Sequence, residues 1–330
     1  MNEYYKHWDK FLPEESSAFL ESVSHCPGCG SGNFINLPPV RPAGANQCLD
    51  CGLVFLSPRL SPAIMHRLYL ENTGSLSAEL NDQLEKYMSA RYDTMKREMF
   101  FADKIPGLTL IDIGCGWGHF LKKAGEEFLT VEGLELSEKQ SGWAARNLGI
   151  DVVNRDVFAG DFEKTFSVIS LWEVIEHVSR PRELLQWCFN HLEPGGQLVL
   201  STPNYNSIFR RLLGLRWYYH IPTQHPCLFT PTAMKHSLTR AGFKRFKIIT
   251  DGRSRLTEKN NRHNQVDPCA RTREQWLQSF ALRSETEQYR RAAPDPLKRL
   301  NKTIDRISWH FFKTLSKAGL GDQMRVFALR

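Results

Sequence analysis

From residue 107 to residue 250 the chain repeats one pattern, a short apolar run followed by a stretch with helical spacing. The runs at 108–113, 129–136, 150–153, 166–172, 197–201 and 243–250 predict strands. The stretches at 118–127, 137–148, 181–192 and 231–241 predict helices, and Pro194-Gly-Gly196 predicts a turn. Strands that read as apolar on both faces and alternate with helices pair in parallel, with helices covering each side of the sheet. An α/β fold follows. Upstream, Ile64, Leu68, Leu80, Leu84, Tyr87 and Met88 recur at helical intervals, so two helices are expected to lead into this unit.

The first strand runs into Leu110-Ile-Asp-Ile-Gly-Cys-Gly-Trp-Gly118, which places Gly114, Gly116 and Gly118 between a strand and a helix. Such a turn lets the backbone lie directly against a ligand, and a nucleotide-like cofactor is the natural inference. A dinucleotide site wants G-x-G-x-x-G and an unopposed helix N-terminus for the pyrophosphate. Here the third glycine comes one residue early, and Asp112 would repel an anion. A Gly-Lys-Ser/Thr sequence is also missing after the turn, which excludes a P-loop. Asp112 suits a ligand carrying an ammonium and a sulfonium, the charge pattern of S-adenosylmethionine. Glu135, ending the second strand, is placed to accept from both ribose hydroxyls, and Asp156, just past the third, from an adenine amino group.

These residues give the chain its resemblance to the class I S-adenosylmethionine-dependent methyltransferases, over about residues 90–250. The matching pieces are Ile111 to Gly118, Gly133-Leu-Glu-Leu-Ser137, Arg155-Asp-Val157, Ser170-Leu-Trp-Glu-Val-Ile-Glu-His-Val178 and Pro194 to Pro203. The Glu-Val-Ile-Glu-His-Val wording is similar to the small-molecule branch that includes ubiquinone-type and sugar methyltransferases. The resemblance implies a Rossmann-like seven-stranded sheet with an antiparallel last strand, at 323–330, and a long insertion before it. It implies cofactor contacts from Asp112, Gly114, Cys115, Gly116, Glu135, Leu136, Asp156, Val157 and Trp172. Trp172 could flank the adenine or belong to the core.

Methyl transfer from a sulfonium needs the nucleophile in line behind the methyl carbon, and an acceptor hydroxyl or acidic carbon also needs a base. His177, with Glu173 and Glu176, follows the fourth strand at the carboxyl edge where open α/β sheets bind ligands, and is the first candidate. Alternatively Glu173 and His177, four residues apart, orient each other and cap a helix. His225, with His220 in an aromatic-rich stretch before Phe229-Thr-Pro, is the second candidate base. A packing role for this stretch is the alternative.

Two C-x-x-C pairs, Cys26/Cys29 and Cys48/Cys51, stand 18 residues apart, and each is followed by a glycine. This is the spacing of a four-cysteine zinc ribbon, in which four thiolates close a tetrahedral, structural Zn2+ site. The remaining cysteines, Cys115, Cys188, Cys227 and Cys269, are scattered, which argues against a disulfide scaffold. With 41% hydrophobic and 24% charged residues, 330 residues can fold on their own core. No apolar run reaches the roughly 18 residues of a membrane span, and the opening residues are too polar for a signal peptide. A cytoplasmic location is expected.

The net charge of +7 is concentrated near the C-terminus, where residues 253–330 carry 17 basic against 8 acidic side chains. An anionic partner is one explanation and a solvated basic face the other. Residues 297–315 form a basic amphipathic pattern that could touch an anionic membrane, although packing of its apolar side on the sheet is favoured. The organisation expected is an N-terminal segment with ribbon at 1–60, a helical linker at 61–102, the core at 103–252, a basic helical insertion at 253–322 and the closing strand at 323–330. The acceptor is expected to be a small molecule or glycan, anionic in character. Nucleic acid is not expected, because no interleaved basic and aromatic motif is present. An RNA methyltransferase and a non-catalytic cofactor-binding protein are the competing readings.

Overall fold

The computed structural model describes residues 20–37, 44–71, 75–160, 162–214, 217, 219–221, 224–251 and 314–330. Seven strands form the main sheet: β6 (Thr109–Ile113), β7 (Thr130–Glu135), β8 (Asp151–Asn154), β9 (Phe166–Trp172), β10 (Leu192–Pro203), β12 (Arg245–Asp251) and β13 (Gln323–Leu329). Their spatial order is β12-β13-β10-β9-β6-β7-β8. The five strands from β8 to β10 are mutually parallel, while β13 runs antiparallel between β10 and β12. The closing strand is therefore wedged inside the sheet and does not form its edge.

Alternation along each strand divides the core between the two faces. On β13, Met324, Val326 and Ala328 join one apolar cluster with Leu184, Leu185 and Cys188 of α5 (Pro181–His191) and with Ala233, Met234 and Leu238 of α7 (Pro231–Arg240). Phe327 points to the other face. There it meets a cluster containing Tyr92 and Met95 of α2 (Ala78–Glu98) and Phe120, Leu121 and Ala124 of α3 (His119–Ala124).

Local chemistry sets the helix boundaries. Helix α2 starts where the Ser77 hydroxyl accepts from the Leu80 amide, and it carries Glu79 in its first turn and Lys96 and Arg97 in its last. Helices α5 and α7 both begin with proline, whose missing N–H costs nothing there. Helix α3 is shorter than the expected 118–127, because Gly125 caps it after Ala124. Strand β10 is longer than expected, beginning at Leu192 and absorbing the Pro194-Gly-Gly196 segment as a register shift against β9. Two more helices, α1 (Pro62–Glu71) and α4 (Glu138–Leu148), flank the glycine turn, and α6 (Ile208–Leu213) follows β10.

The N-terminal cysteine segment shares a sheet with the rest of the chain. Strands β2 (Phe34–Asn36), β3 (Ala45–Cys48) and β4 (Val54–Leu56) continue into β11 (Cys227–Leu228), in the order β11-β4-β3-β2. A separate two-stranded pair joins β1 (Leu20–Glu21) to β5 (Arg59–Leu60). Of the expected basic helix at 297–315 and the insertion around it, residues 252–313 lie outside the described residues, as does Cys269. Among the described residues, no helix is long and apolar enough to cross a membrane.

Phe327 is fully buried between β10 and β12, so Phe327→Ala is expected to cost about 3–5 kcal/mol in urea unfolding with an unchanged m-value. A loss below about 1 kcal/mol would show that β13 is not an integral strand.

Candidate active site

The carboxyl ends of β6, β7 and β9 converge, and the glycine turn opens there. Asp112 and Ser170 are register partners on β6 and β9, and the Ser170 hydroxyl donates to Asp112 Oδ1 at 2.6 Å. Asp112 is buried, and burial pushes its pKa up to about 7. The Ser170 hydrogen bond and the Arg91 charge pull the other way. Gly114 has φ of 71°, and a Cβ there would sit 2.8 Å from Val174 Cγ2, so only glycine fits. Above Gly116, also at positive φ, a Cβ would meet nothing nearer than Gln140 Oε1 at 3.9 Å. That open backbone face beside a buried acid fits an aminoacyl-nucleoside cation.

Glu135 is buried at the end of β7 and already organised. Its Oε2 accepts from the Gly116 amide at 2.9 Å and its Oε1 from the Ser137 amide at 2.7 Å, so the carboxylate braces the glycine turn that it borders. Tyr69 of α1 also donates its hydroxyl to Oε1, at 2.8 Å. Leu136 is exposed next to it, and Cys115 is buried beneath the turn, its thiol pushed up by burial and by the charges of Asp112 and Glu135. Asp156 is exposed past β8, where Oδ1 accepts from the Phe158 amide, and Val157 is half-buried against the first core cluster. Trp172 is buried against Phe120 and below the Arg91 guanidinium, 5.0 Å from its ring, and its indole Nε1 has no hydrogen-bond partner among the described residues.

The sequence reading missed Arg91 and Tyr69. The Arg91 side chain, from α2, is only 10% exposed. Its Nη1 donates to Ser201 Oγ at 2.9 Å, and its Nη2 lies 3.7 Å from Glu173 Oε1. It is thus the cation among three buried or half-buried acids, Asp112, Glu173 and Glu176. A single arginine 23 residues before Gly114 carries no sequence signature. Tyr69, on a helix with no fully buried residue, carries none either.

Glu173 and His177 do not orient each other as expected. Glu173 adopts φ of 54°, outside any helix, and its carboxylate accepts from Ser201 Oγ and from Gln323 Nε2. His177 instead meets His225, the other candidate base, with ring centroids 4.6 Å apart in an edge-to-face contact. His177 Nδ1 lies 2.9 Å from the Gln224 carbonyl, and His225 Nδ1 lies 2.7 Å from the Tyr219 carbonyl. A carbonyl can only accept, so each Nδ1 carries the proton and each Nε2 offers a lone pair. His225 is buried. His177 is exposed to solvent, with its ring set against His225 and the Gln224 carbonyl. Burial lowers both pKa values, that of His177 to about 4, so both rings are neutral near pH 7. Glu176 joins them, fully enclosed and hydrogen-bonded by Thr202 Oγ1 at 3.0 Å. Burial and then the Glu173 charge raise its pKa. Ligand atoms of Glu176, His177 and His225 lie within 4.8 Å of one another, close enough to share a proton or a cation.

On the same side of the sheet, Cys26, Cys29, Cys48 and Cys51 are buried, and their sulfurs lie within 4.8 Å of one another. The Cys26–Cys51 and Cys29–Cys48 sulfur pairs are both 3.5 Å apart, far beyond a disulfide bond. A tetrahedron with metal–sulfur bonds of about 2.3 Å has edges of about 3.8 Å, so the four atoms fit a zinc ion. Gly30 and Gly52 turn the chain after each pair, at φ of 80° and 78°.

Residues 81–247, half of the chain, match the family described as Methyltransferase domain. Among curated proteins, the ubiquinone biosynthesis O-methyltransferase of Rhizobium leguminosarum bv. trifolii is 32% identical over 162 residues, covering 46% of this chain and 63% of that protein. The protein of the same name from Caulobacter vibrioides is 36% identical over 105 residues, covering 30% of this chain and 42% of that protein. The chain spans about half the length of the curated relatives it matches. Similar solved structures include a SAM-dependent methyltransferase from Archaeoglobus fulgidus, at 19% identity and a TM-score of 0.46, covering 74% of this chain and 94% of that one. The cyclopropane synthase MmaA2 from Mycobacterium tuberculosis is 20% identical with a TM-score of 0.46, covering 82% of this chain and 95% of that one.

The raised pKa of Asp112 gives the cradle a pH dependence of definite sign. An unfolded aspartate ionises near pH 4, so between about pH 4 and 7 the folded protein holds a proton that the unfolded chain has lost. Asp112 therefore subtracts stability progressively as pH rises through that window. A ligand ammonium set against Asp112 reverses the preference and expels the proton. Adenosylhomocysteine is expected to bind more tightly as pH rises from 6 to 8, with proton release visible as a buffer-dependent calorimetric enthalpy. Asp112→Asn should abolish that dependence and weaken binding about 10- to 100-fold; an unchanged pH profile in the variant would remove Asp112 from the cradle. With its acid-lined glycine turn inside the matched span, the chain belongs to the methyltransferase domain family.

Proposed function

We propose that this chain is an S-adenosylmethionine-dependent methyltransferase that acts in the cytoplasm on an oxygen or carbon of a small-molecule or carbohydrate-linked acceptor that is anionic. The observation that carries this reading is the His177–His225 pair, two neutral rings in edge-to-face contact, each with Nδ1 committed to a backbone carbonyl and Nε2 left with its lone pair, His177 lying in the segment that follows β9. In the reaction the sulfur–methyl bond breaks, leaving adenosylhomocysteine, as the acceptor–methyl bond forms. The acceptor's proton passes to an imidazole Nε2. The Glu173 carboxylate is engaged by Ser201, Gln323 and Arg91, which leaves the base role to the histidines. The relatives' names specify O-methylation, which supports oxygen as the acceptor atom.

The anionic character rests on the basic excess of residues 253–330. The chain leaves the sheet for that region at Asp251 and returns at Gln323, and these two are register partners, with Gln323 touching Glu173. The reading of Cys26, Cys29, Cys48 and Cys51 as thiolate zinc ligands supports a reducing compartment.

The test is incubation with methyl-labelled S-adenosylmethionine and fractionated cell extract. Label is expected in small-molecule or glycan fractions. Label in RNA, with binding that falls steeply with salt, would instead establish the nucleic-acid reading. With the labelled acceptor in hand, His177→Gln and His225→Gln are each expected to lower kcat by about 100-fold or more, with adenosylhomocysteine affinity changed by less than about twofold. Full activity in both variants would remove the histidines from the chemistry.

A further inference from the structure

The structure points to a second role for the cysteine-held segment: we propose that it is a positioning element for the His177–His225 pair, acting through strand β4 and Arg59. The inference rests on the readings that the four cysteines hold a zinc ion and that the histidines face the acceptor. It adds a physical link between the two.

Both chain segments that carry the histidines are pinned by residues 54–59. On one side, β4 pairs antiparallel with β11, with Phe55 opposite Cys227 and Val54 opposite Leu228. The Leu56 amide donates to the Pro226 carbonyl at 3.0 Å, one residue from His225. On the other side, Arg59, only 7% exposed, donates from Nη1 to the Ser179 carbonyl at 3.3 Å, two residues from His177. Glu21 anchors the same guanidinium at 2.7 Å. Among the described residues, β11 has no strand neighbour in its sheet except β4. Without β4, the segment that supplies the Gln224 carbonyl to His177 and contains His225 would lose its ladder.

Strand β4 in turn depends on the cysteines. The Cys48 amide donates to the Leu53 carbonyl at 2.9 Å and the Gly52 amide to the Cys48 carbonyl at 3.0 Å, so the second knuckle runs directly into β4. Phe55 and Leu53 are buried in the same cluster as the four cysteines, Cys227 and Phe229. A short segment of few apolar residues cannot fold on its own burial, and the free energy of metal binding becomes its folding free energy. The cofactor cradle is built otherwise. Among the described residues, the hydrogen bonds of Asp112 and Glu135 come from Ser170, Gly116, Ser137 and Tyr69, and none comes from residues 20–60. Zinc release should therefore separate the two halves of the site.

The experiment begins with the full chain and its metal content, expected at about one zinc per chain. Zinc is then released with a mercurial thiol reagent and chelator, and restored after reduction. On release, adenosylhomocysteine affinity by calorimetry should change by less than about threefold. Amides of residues 224–229 should lose protection from hydrogen exchange by about tenfold or more. The ring nitrogen NMR signals of His177 and His225 should leave the Nδ1–H tautomer, and added zinc should restore it. Leu56→Pro, which deletes the single amide donated to Pro226, should reproduce the histidine and exchange changes with zinc retained. Unchanged tautomers and protection after zinc release would overturn the inference, as would a parallel collapse of cofactor affinity, which would mark the segment as a general stabiliser. A preparation with no metal would defeat the zinc reading, and Leu56→Pro would still decide the coupling, with unaltered histidine signals counting against it.

Discussion

Parallel pairing of β6 with β7 on one side and β9 on the other fixes the site. Because Asp112 lies opposite Ser170 and one strand from Gly133, the acids at the ends of β6 and β7 and the loop after β9 emerge at one edge. A one-residue slip of β6 would turn Asp112 into the adjoining face and bring a neighbouring isoleucine to the edge. The apolar register that buries Leu110 on one face and Ile111 on the other therefore also aims the chemistry.

That edge concentrates groups a folding chain would otherwise avoid burying. Asp112, Glu135 and Glu176 are nearly inaccessible, and the Arg91 charge acts on Asp112 and Glu176. Each acid is managed differently. Glu135 spends its charge on backbone amides, Asp112 is eased by a hydroxyl, and Glu176 is held toward its neutral form by burial and by Glu173. The imbalance leaves a region where a positively charged ligand is worth more than in water. Phosphate-bearing cofactors meet the opposite field.

Much of this was legible in the sequence, for reasons of periodicity. Strands and helices of the repeated unit carry their spacing on their face, and glycines at 114, 116 and 118 announce a turn whose φ values exclude most other residues. The cysteine spacing likewise led to four sulfurs within reach of one ion. What escaped was contact between distant, individually unremarkable residues. Arg91 reaches the site from a helix whose pattern says only that it is amphipathic. His177 and His225 are 48 positions apart and read as rival bases, whereas the fold makes them neighbours. The two-residue strand β11 is too short to declare itself, so the joining of the cysteine segment to the core could not be read. The pairing imagined for Glu173 and His177 assumed helical spacing that the left-handed backbone at Glu173 breaks.

The wedged position of β13 has a consequence for how this protein can diversify. Asp251 and Gln323 sit across one rung of the ladder, and Arg325 ties Asp251 to Glu98 of α2 beside them. The excursion between them begins and ends at adjacent points, so its length is almost decoupled from the sheet. By loop-closure entropy each doubling costs only about 0.6 kcal/mol. Evolution could thus graft, shorten or exchange that stretch to suit new acceptors while the catalytic platform stayed as it is.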